Sequence, residues 1–189
     1  MADLAYAEEG RFTYADYKAW ELNPGERYEL IDGAAYAMAA PNTGHQIIAM
    51  TLYGEFYNFL KGKPCRPIPA PFDVRLFYQE DESDDTVVQP DLTVLCDPGK
   101  LGDEGCRGAP DLVMEILSPS NTAIEMERKL NLYQEAGVRE YWVVDPLNRR
   151  VCVYLLKDDR YVPRTFRAAD RAQSAILPGL ELPLADVFG

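Results

Sequence analysis

Apolar and polar residues alternate along this chain with two different periods, and each period predicts one type of secondary structure. A period of two in "RYELIDGAAYAMA" surrounds the turn signal Asp32-Gly33 and predicts a β-hairpin. A helical period then runs to about Lys61 from Thr43, which is expected to cap the helix. The apolar side of this helix is formed by Ile47, Ile48, Leu52, Phe56 and Phe59.

The middle of the chain is predicted to form strands that are separated by polar connections. The apolar runs at 72–77, 87–96 and 112–117 are strand-like. The acidic segment "YQEDESDD" at 78–85 is expected to be a solvated loop. The Gly-rich segment at 97–108 is expected to be an irregular, mobile connection.

The third quarter of the chain predicts a strand–helix–strand unit. Thr122 and Glu125 have the spacing of a capping box, and Gly137 stands where a left-handed helix end favours glycine. A helix from 122 to about 136 would therefore join the strand at 112–117 to the strand "EYWVVD". Strands connected in this way are parallel, with a right-handed crossover.

Both ends of the chain are predicted to carry smaller elements. Thr13, with Asp16 three residues on, favours the start of a short helix, "YADYKAWEL". "RRVCVYLL" and "YVPRTF" predict a second hairpin, and the tail "AILPGLELPLADVF" predicts an edge strand or a surface wrap because it holds two prolines. Since neither a repeat nor a long linker divides the chain, the prediction is one α/β domain over residues 1–189.

The net charge of −12 argues against tight non-specific binding of nucleic acid. The chain has 19 Lys and Arg residues against 31 Asp and Glu residues, whereas nucleic-acid binders cluster their basic residues. Charges further than about 8 Å from a site are largely screened at physiological salt. A local phosphate site is therefore compatible with this balance.

The remaining composition predicts a cytoplasmic protein that has no membrane partner. The N-terminus lacks the pattern of a secretory signal, and no apolar run approaches the roughly 20 residues of a membrane helix. Cys65, Cys96, Cys106 and Cys152 form no CxxC pair. They are expected to be reduced thiols.

Two carboxylates fall in strands that otherwise have the composition of core. Asp91 opens one apolar run, and Glu115 lies in the middle of another. An ionised carboxylate in such a strand is costly unless a cation compensates it. Mg²⁺ binds one or two carboxylates together with waters and phosphate oxygens, so the pair is a candidate metal site. The alternative is a buried salt bridge to Arg128 or Lys129 of the following helix.

The order of these motifs resembles that of the PD-(D/E)XK nuclease superfamily: Pro90-Asp91, a second strand with Glu115, and then a basic helix. Within that superfamily, five segments resemble the family named "putative restriction endonuclease", formerly a domain of unknown function. They are "YELIDG", "QPDLTVL", "PDLVMEILSPS", "RKLNLYQEAGVREYWVVDP" and "LPGLELPLADVF". The resemblance covers nearly the whole chain and is most specific from Asp111 to Pro146.

This resemblance implies a restriction-endonuclease-like α+β fold, with a mixed central sheet flanked by helices. It also implies that Asp91 and Glu115 hold a divalent metal together with the backbone carbonyl of Ile116. Oxygen ligands of this kind favour Mg²⁺ or Mn²⁺ over zinc.

The chain departs from the superfamily pattern at Leu117, where a lysine is expected two residues after the glutamate. Lys129 is the predicted substitute, because it lies one helical turn before Tyr133 on the same inward stripe. The pair resembles the helical Gln-x-x-x-Tyr motif of related nucleases with lysine in the first position, and Tyr133 is an auxiliary candidate. Arg128 is expected to face outward or toward the edge of the site. The other interpretation of Lys129 is an ordinary exposed lysine.

Three further polar residues are weaker candidates. Glu29 is expected to add a ligand or a water contact, and an ion pair with Arg27 is an equal alternative. His45, the only histidine, is a second auxiliary candidate, although a lone histidine is more often structural. Asp111 lies about 13 Å from Glu115 at the rise of a strand, too far to share an ion, and is expected to be structural.

The predicted function is metal-dependent hydrolysis of DNA phosphodiester bonds. Asp91, Glu115 and the metal would activate a water, and Lys129 would stabilise the charge that develops on the phosphate. The acidic balance and the missing strand lysine favour a second hypothesis, a catalytically silent nuclease-fold module that binds or regulates. Hydrolysis of another phosphate ester is a third, because a fold does not fix a substrate.

A homodimer is also expected. Cleavage of both strands of a duplex gains from a two-fold axis that matches that of the DNA. The apolar residues of "EYWVVDP" and the hairpins after it are expected to be exposed, and exposed strands favour pairing with another chain.

Overall fold

The computed structural model of the chain describes residues 11–19, 27–119 and 121–189. Within these ranges the chain forms four α-helices and fourteen strands. The helices are α1 (Tyr14–Ala19), α2 (Thr43–Leu60), α3 (Ala123–Glu135) and α4 (Leu184–Phe188). The strands are β1 (Arg27–Ile31), β2 (Ala34–Met38), β3 (Arg66–Pro69), β4 (Val74–Arg75), β5 (Val87–Val88), β6 (Leu92–Leu95), β7 (Leu101–Gly102), β8 (Gly105–Arg107), β9 (Leu112–Ile116), β10 (Glu140–Asp145), β11 (Arg150–Lys157), β12 (Arg160–Arg167), β13 (Arg171–Gln173) and β14 (Glu181–Pro183).

Two six-stranded sheets and one small sheet organise these strands. The first sheet has the order β2-β1-β5-β4-β8-β7, the second has the order β12-β11-β10-β9-β6-β3, and β13 pairs with β14. β9 and β10 are parallel, as are β4 and β8, whereas the other neighbours are antiparallel. The expected α+β fold with mixed sheets and flanking helices is confirmed.

The two hairpins and the strand–helix–strand unit form as the local sequence predicts. Thr122 caps α3 through the predicted capping box with Glu125, and Gly137 follows the helix with φ +82°. α3 then leads into β10, which lies parallel to β9. The β1–β2 turn has positive φ at both Asp32 and Gly33, as a two-residue hairpin turn requires.

The second sheet is covered on both faces, and β9 shows how. Leu112, Met114 and Ile116 point into an apolar cluster with α2, α4 and the C-terminal tail. Val113 points the other way, into a cluster with α3 and the first sheet, and Leu117 packs against that cluster. Because side chains alternate along a strand, Glu115 shares the α3 side of the sheet.

The strand expected at 87–96 is in fact two strands in different sheets. β5 pairs with β1 and β4, β6 pairs with β9 and β3, and residues 89–91 join them. Pro90 lacks a backbone N–H, which suits this break between the sheets. Leu92 pairs with Met114, so the antiparallel register, continued by one residue, brings Asp91 opposite Glu115.

Several boundaries differ from the expectations. Asn42 caps α2 in place of Thr43, since its side chain accepts from the His45 backbone N–H. Ile47 is not on the buried side of α2, because it is 61% exposed. The segment at 97–108 is not irregular but holds a 3-10 turn and the β7–β8 hairpin. At 72–77 only Val74 and Arg75 form a strand.

Segments that contain prolines or many acidic residues contribute more to the sheets and to the core than the sequence predicted. β3 contains two prolines and lies at an edge of the second sheet, where a missing N–H is tolerated. In the acidic segment at 78–85, Asp84 is buried and pairs with the Arg75 guanidinium. The C-terminal tail is also not only a surface wrap, because Leu177, Leu182 and other tail residues enter the core.

The expectations for α1 and for the cysteines have mixed outcomes. Thr13 and Asp16 cap α1 through two hydrogen bonds of 2.8 and 2.9 Å to the Asp16 carboxylate. Residues 20–22 of the predicted helix lie outside the described residues. Cys65 and Cys96 form a disulfide, so the expectation of four reduced thiols is wrong for this pair, which lies across the end of the β3–β6 ladder. Cys106 and Cys152 are free.

The surface expected for self-association is exposed only in part. β10, the "EYWVVD" strand, is buried along its whole length because it lies between β9 and β11 and is covered on both faces. Leu147 before β11 and Val162 on the edge strand β12 are exposed, so the argument from exposed strands holds for the second hairpin but not for β10. Among the described helices, none is both long enough and apolar enough to cross a membrane.

Candidate active site

A cavity of about 480 Å³ lies where β6 begins and β9 ends. One wall comes from the β1–β2 hairpin and the start of α2, and the other from the first half of α3. The structure brings six of the predicted residues to this cavity. They are Glu29, His45, Asp91, Glu115, Ile116 and Lys129.

Lys129 links two carboxylates in the cavity. Its ammonium Nζ lies 2.8 Å from Glu115 Oε1 and 3.0 Å from Glu29 Oε1. Tyr133, one turn along α3, donates its hydroxyl to the same Glu115 oxygen at 2.7 Å. Because the Lys129 side chain is only 21% exposed, its interpretation as an ordinary exposed lysine is wrong.

Glu29 reaches the same cluster from β1. Its Oε1 accepts both from Lys129 and from the backbone N–H of Gln89 at 3.0 Å. The alternative ion pair with Arg27 does not occur, since the cation that Glu29 contacts within the described ranges is Lys129. Through these hydrogen bonds, Glu29 connects the β1–β2 hairpin both to α3 and to the segment between β5 and β6.

Asp91 is held by α2 and by the end of β9. Its Oδ2 accepts from the Ile116 backbone N–H at 2.7 Å and lies 3.3 Å from His45 Nε2. His45 is positioned by the first turn of α2, where its backbone N–H donates to Asn42. The other ring nitrogen, Nδ1, is buried and has no hydrogen-bond partner among the described residues.

The acidic cluster changes the protonation of Glu115. Burial raises the pKa of Glu115, Lys129 opposes this effect, and the nearby carboxylates of Glu29 and Asp91 add to it, so that the pKa of Glu115 is raised to about 7. Two carboxylates, Glu29 and Glu115, thus share one ammonium group, and a third, Asp91, lies close enough to affect Glu115. A further cation at this position would favour the ionised form of Glu115.

Lys129 and Tyr133 keep fixed protonation states near neutral pH. Burial acts to lower the pKa of Lys129, but Glu115 and Glu29 together raise it well above its ordinary value. Burial also raises the pKa of Tyr133 well above its ordinary value. The contact with Asp91 raises the pKa of His45. Lys129 is therefore cationic and Tyr133 neutral when they contact Glu115.

Asp91 and Glu115 each keep one carboxylate oxygen free of protein donors within the described residues, which is the type of ligand that a hard divalent cation prefers. No described donor contacts Asp91 Oδ1 or Glu115 Oε2, whereas the second oxygen of each carboxylate is occupied. Mg²⁺ is held by one or two carboxylates, and waters and substrate oxygens complete its shell. In the described ranges, no group of three or more His, Cys, Asp and Glu side chains is arranged to hold a metal. The chain thus offers an open pair of carboxylates and not a closed cage.

Asp111 and Leu117 stand where the sequence placed them. Asp111 is absent from the cavity lining; its carboxylate accepts from the Cys96 backbone N–H at 2.8 Å and from Arg139 at 2.9 Å. Leu117 lines the cavity and packs against the core beside α3, so the end of β9 supplies no cation.

Sequence reasoning missed two features of the cavity wall. Tyr36 of β2 lines the cavity, and the Arg128 guanidinium lies 4.5 Å from the centre of its ring. Arg128 therefore faces the edge of the site, one of the two expected positions. The helical period predicts this position for Arg128, but no local pattern indicates which strand residue Arg128 contacts.

This fold and this acidic cavity define a nuclease-like α+β protein. The chain belongs to the Uma2 family, described as "Putative restriction endonuclease", whose model matches residues 14–185. The resemblance found in the sequence motifs is thereby confirmed.

Two relatives extend the comparison. "Uncharacterized protein slr1290" of Synechocystis sp. is 28% identical over 160 residues, which are 84% of this chain and 82% of that protein. A crystal structure from Anabaena variabilis, of a "putative nuclease belonging to DUF820", matches with a TM-score of 0.73. That match covers 94% of this chain and 97% of that chain at 19% identity, so it bears on the fold alone.

Proposed function

We propose that this protein is a metal-dependent endonuclease that hydrolyses phosphodiester bonds of DNA in the Asp91–Glu115 cavity. The observation that carries the proposal is the opposition of these carboxylates on adjacent strands, with Lys129 of α3 bound to Glu115. The family supports nuclease activity in general. The metal, the DNA substrate and the roles of the residues go beyond what the family supports, and they are specific to this proposal.

Asp91 and Glu115 would hold Mg²⁺ or Mn²⁺ together with the carbonyl oxygen of Ile116. When bound, such an ion lowers the pKa of a coordinated water and polarises a phosphoryl oxygen. The chain's own groups hold the ligands in place: Tyr133 and Lys129 donate to one oxygen of Glu115.

Lys129 would replace the cation that the superfamily pattern places on the strand. Its pKa keeps it charged, and it lies beside the proposed metal ligand Glu115. A fixed positive charge at this position would stabilise the negative charge that develops on the phosphate. His45 and the Ile116 N–H orient Asp91 from the other side.

One contact favours a second function, a catalytically silent nuclease-fold module. Lys129 already partly neutralises Glu115 and Glu29 without a metal. A protein of this kind would bind nucleic acid in the cavity but leave it intact.

Cleavage of supercoiled plasmid and of single-stranded DNA, with Mg²⁺, with Mn²⁺ and with EDTA, separates the two functions. We expect cleavage only with a metal, and a loss of about a hundredfold or more in Glu115→Gln and in Asp91→Asn. Glu127→Gln is the matched control, because Glu127 lies on the exposed side of the same helix. It should cleave like the parent.

Calorimetric titration with Mn²⁺ tests the metal separately from the reaction. The heat of binding seen with the parent should disappear in Glu115→Gln, while circular dichroism shows an unchanged fold. Equal heats in the two proteins would refute the metal site. Binding of DNA without cleavage under every metal condition would favour the silent module.

Two further expectations concern the type of nuclease site and the location of the protein in the cell. We assign the site to the PD-(D/E)XK type, with lysine moved from the strand to the helix. A cytoplasmic location remains an expectation, and the Cys65–Cys96 disulfide weakens the argument from reduced thiols, because disulfides are rare in the cytosol.

A further inference from the structure

The cavity is lined by four acidic residues, which makes it a poor environment for a polyanion unless a cation is available. These residues are Glu29, Asp91, Glu115 and Glu125. Three basic residues, Arg27, Arg128 and Lys129, also line it. Lys129 is bound to two of the carboxylates, and Arg27 donates to the Gln89 side chain at 3.4 Å.

Arg128 differs from the other two basic residues. Among the described residues, no carboxylate pairs with it and no acceptor takes a hydrogen bond from it. Its single contact of note is with the ring of Tyr36, 4.5 Å from guanidinium to ring centre. A guanidinium has five N–H donors that lie in its plane, and stacking on a ring leaves those edges free.

The ring beneath Arg128 is itself fixed. Tyr36 packs against the apolar cluster that joins α3 to the first sheet. Arg128 comes from α3 and Tyr36 from β2, so the stack spans the two walls of the cavity. The guanidinium is therefore held over the ring at the cavity wall, which lowers the entropy lost when it forms hydrogen bonds.

We propose that the Arg128–Tyr36 stack is a phosphate-binding subsite. Arg128 binds the backbone phosphate that is adjacent to the scissile phosphate on the same nucleic-acid strand. Two parallel N–H···O bonds to a phosphate match the geometry of a guanidinium. Arg128 and Lys129 diverge by about 100° around α3, so they contact different phosphates. This subsite rests on the proposed function, because it names how the same cavity holds its substrate.

Arg128 is a substrate-binding residue and not a catalytic one, so its loss weakens binding before it slows cleavage. Tyr36 is a positioning residue, since it acts through the guanidinium.

Fluorescence anisotropy of a labelled single-stranded DNA oligonucleotide, with Ca²⁺ in place of Mg²⁺, measures the binding directly. Arg128→Ala should weaken binding about tenfold or more, because hydrogen bonds between charged groups are among the strong ones. The slope of log K against log salt should decrease in magnitude by about 0.7, the value for one phosphate contact on a single strand. Arg128→Lys keeps the charge but loses the planar guanidinium and its paired N–H donors. It should therefore have the salt slope of the parent but not the full DNA affinity of the parent.

A matched control comes from a second arginine–aromatic stack. Arg164 lies 4.7 Å from the ring of Phe166 on β12 and does not line the cavity. Arg164→Ala removes the same charge and the same kind of contact, and should leave affinity and slope unchanged. Tyr36→Leu should weaken binding severalfold, whereas Tyr36→Phe, which keeps the ring, should bind like the parent.

Three outcomes overturn the subsite and one separates it from the reaction. Equal affinity and slope in Arg128→Ala and the parent would refute it, as would an equal loss in Arg164→Ala. If the parent binds but never cleaves, the nuclease proposal fails while a loss in Arg128→Ala still supports the subsite. If the parent neither binds nor cleaves, both are refuted.

Discussion

Lys129 is the residue on which the site depends most, because one ammonium group serves two buried carboxylates. The Glu115 and Glu29 side chains are 14% and 7% exposed, so neither can rely on water for its solvation. Removing one partner of a buried ion pair leaves an uncompensated charge, and this costs more than the pair itself contributes. Lys129 therefore has a structural role in addition to the catalytic role proposed for it.

At the scale of this residue we expect Lys129→Met to lower the free energy of unfolding by about 3 kcal/mol at neutral pH. It should also abolish cleavage. The double variant Lys129→Met/Glu115→Gln should regain part of the stability, because it removes one of the two carboxylates that the loss of Lys129 leaves without a cation. Urea unfolding of the four proteins in this cycle measures the coupling.

Lys157→Met is the control for the loss of a lysine, since Lys157 is exposed at the end of β11. It should unfold like the parent. Full stability in Lys129→Met would mean that Glu115 and Glu29 do not need the ammonium group, and would remove the electrostatic account of the site.

At the scale of elements, Glu140 fastens the C-terminal tail to the sheet. Glu140 opens β10, is fully buried, and accepts from the Trp142 indole N–H at 2.7 Å. Its second oxygen accepts from the backbone N–H groups of Ala175 and Ile176 at 2.7 and 3.3 Å. The carboxylate thus satisfies three donors, two of which belong to the tail between β13 and β14.

We expect Glu140→Ala to destabilise the protein by about 3 kcal/mol, because it leaves buried N–H donors unsatisfied and opens a cavity. Hydrogen exchange should become faster at Ala175 and Ile176 in particular. Glu181→Ala is the control: Glu181 pairs with Arg171 in an exposed ion pair, which contributes little. Similar losses of stability in both variants would contradict the proposed attachment of the tail.

At the scale of the molecule, two apolar clusters connect all the large elements. One joins α2, the second sheet and the tail, and the other joins the two six-stranded sheets with α3. Because β9 contributes to both clusters, the loss of either one exposes the other. This arrangement favours the predicted single domain over two independent units.

We expect unfolding in guanidinium chloride to be one cooperative transition, as in other single domains. Far-UV circular dichroism follows the sheets, and tryptophan fluorescence includes Trp142, which is buried against Phe56 in the first cluster. The two signals should give the same midpoint. Two separated midpoints would mean that the sheets unfold independently and that the chain has more than one domain.

Self-association stays a prediction at this scale. It rests on the symmetry of a duplex substrate and on the edge strand β12, where Val162 is exposed. Other exposed apolar residues of the described chain lie outside the expected surface, among them Ile47, Met50 and Tyr57 on α2.

The sequence by itself determined the local elements and the residues that share a local face. The capping box at Thr122, the glycine at 137 and the helical spacing of Lys129 and Tyr133 are contacts within one or two turns, so their physics is complete in the sequence. The same holds for the turn at Asp32-Gly33. Asp91 and Glu115 were found because charged residues in apolar strands are costly wherever the strands pair.

Only the tertiary structure decided which distant segments meet. Pro90 interrupts the apolar run from 87 to 96, but the run does not indicate that its two halves pair in different sheets, because both halves are buried. The link from Lys129 to Glu29, the stack of Arg128 on Tyr36, the Cys65–Cys96 disulfide and the attachment of the tail by Glu140 all join segments far apart in the chain. Such pairings depend on strand order and on register, and a one-residue shift in register would turn Glu115 away from Lys129.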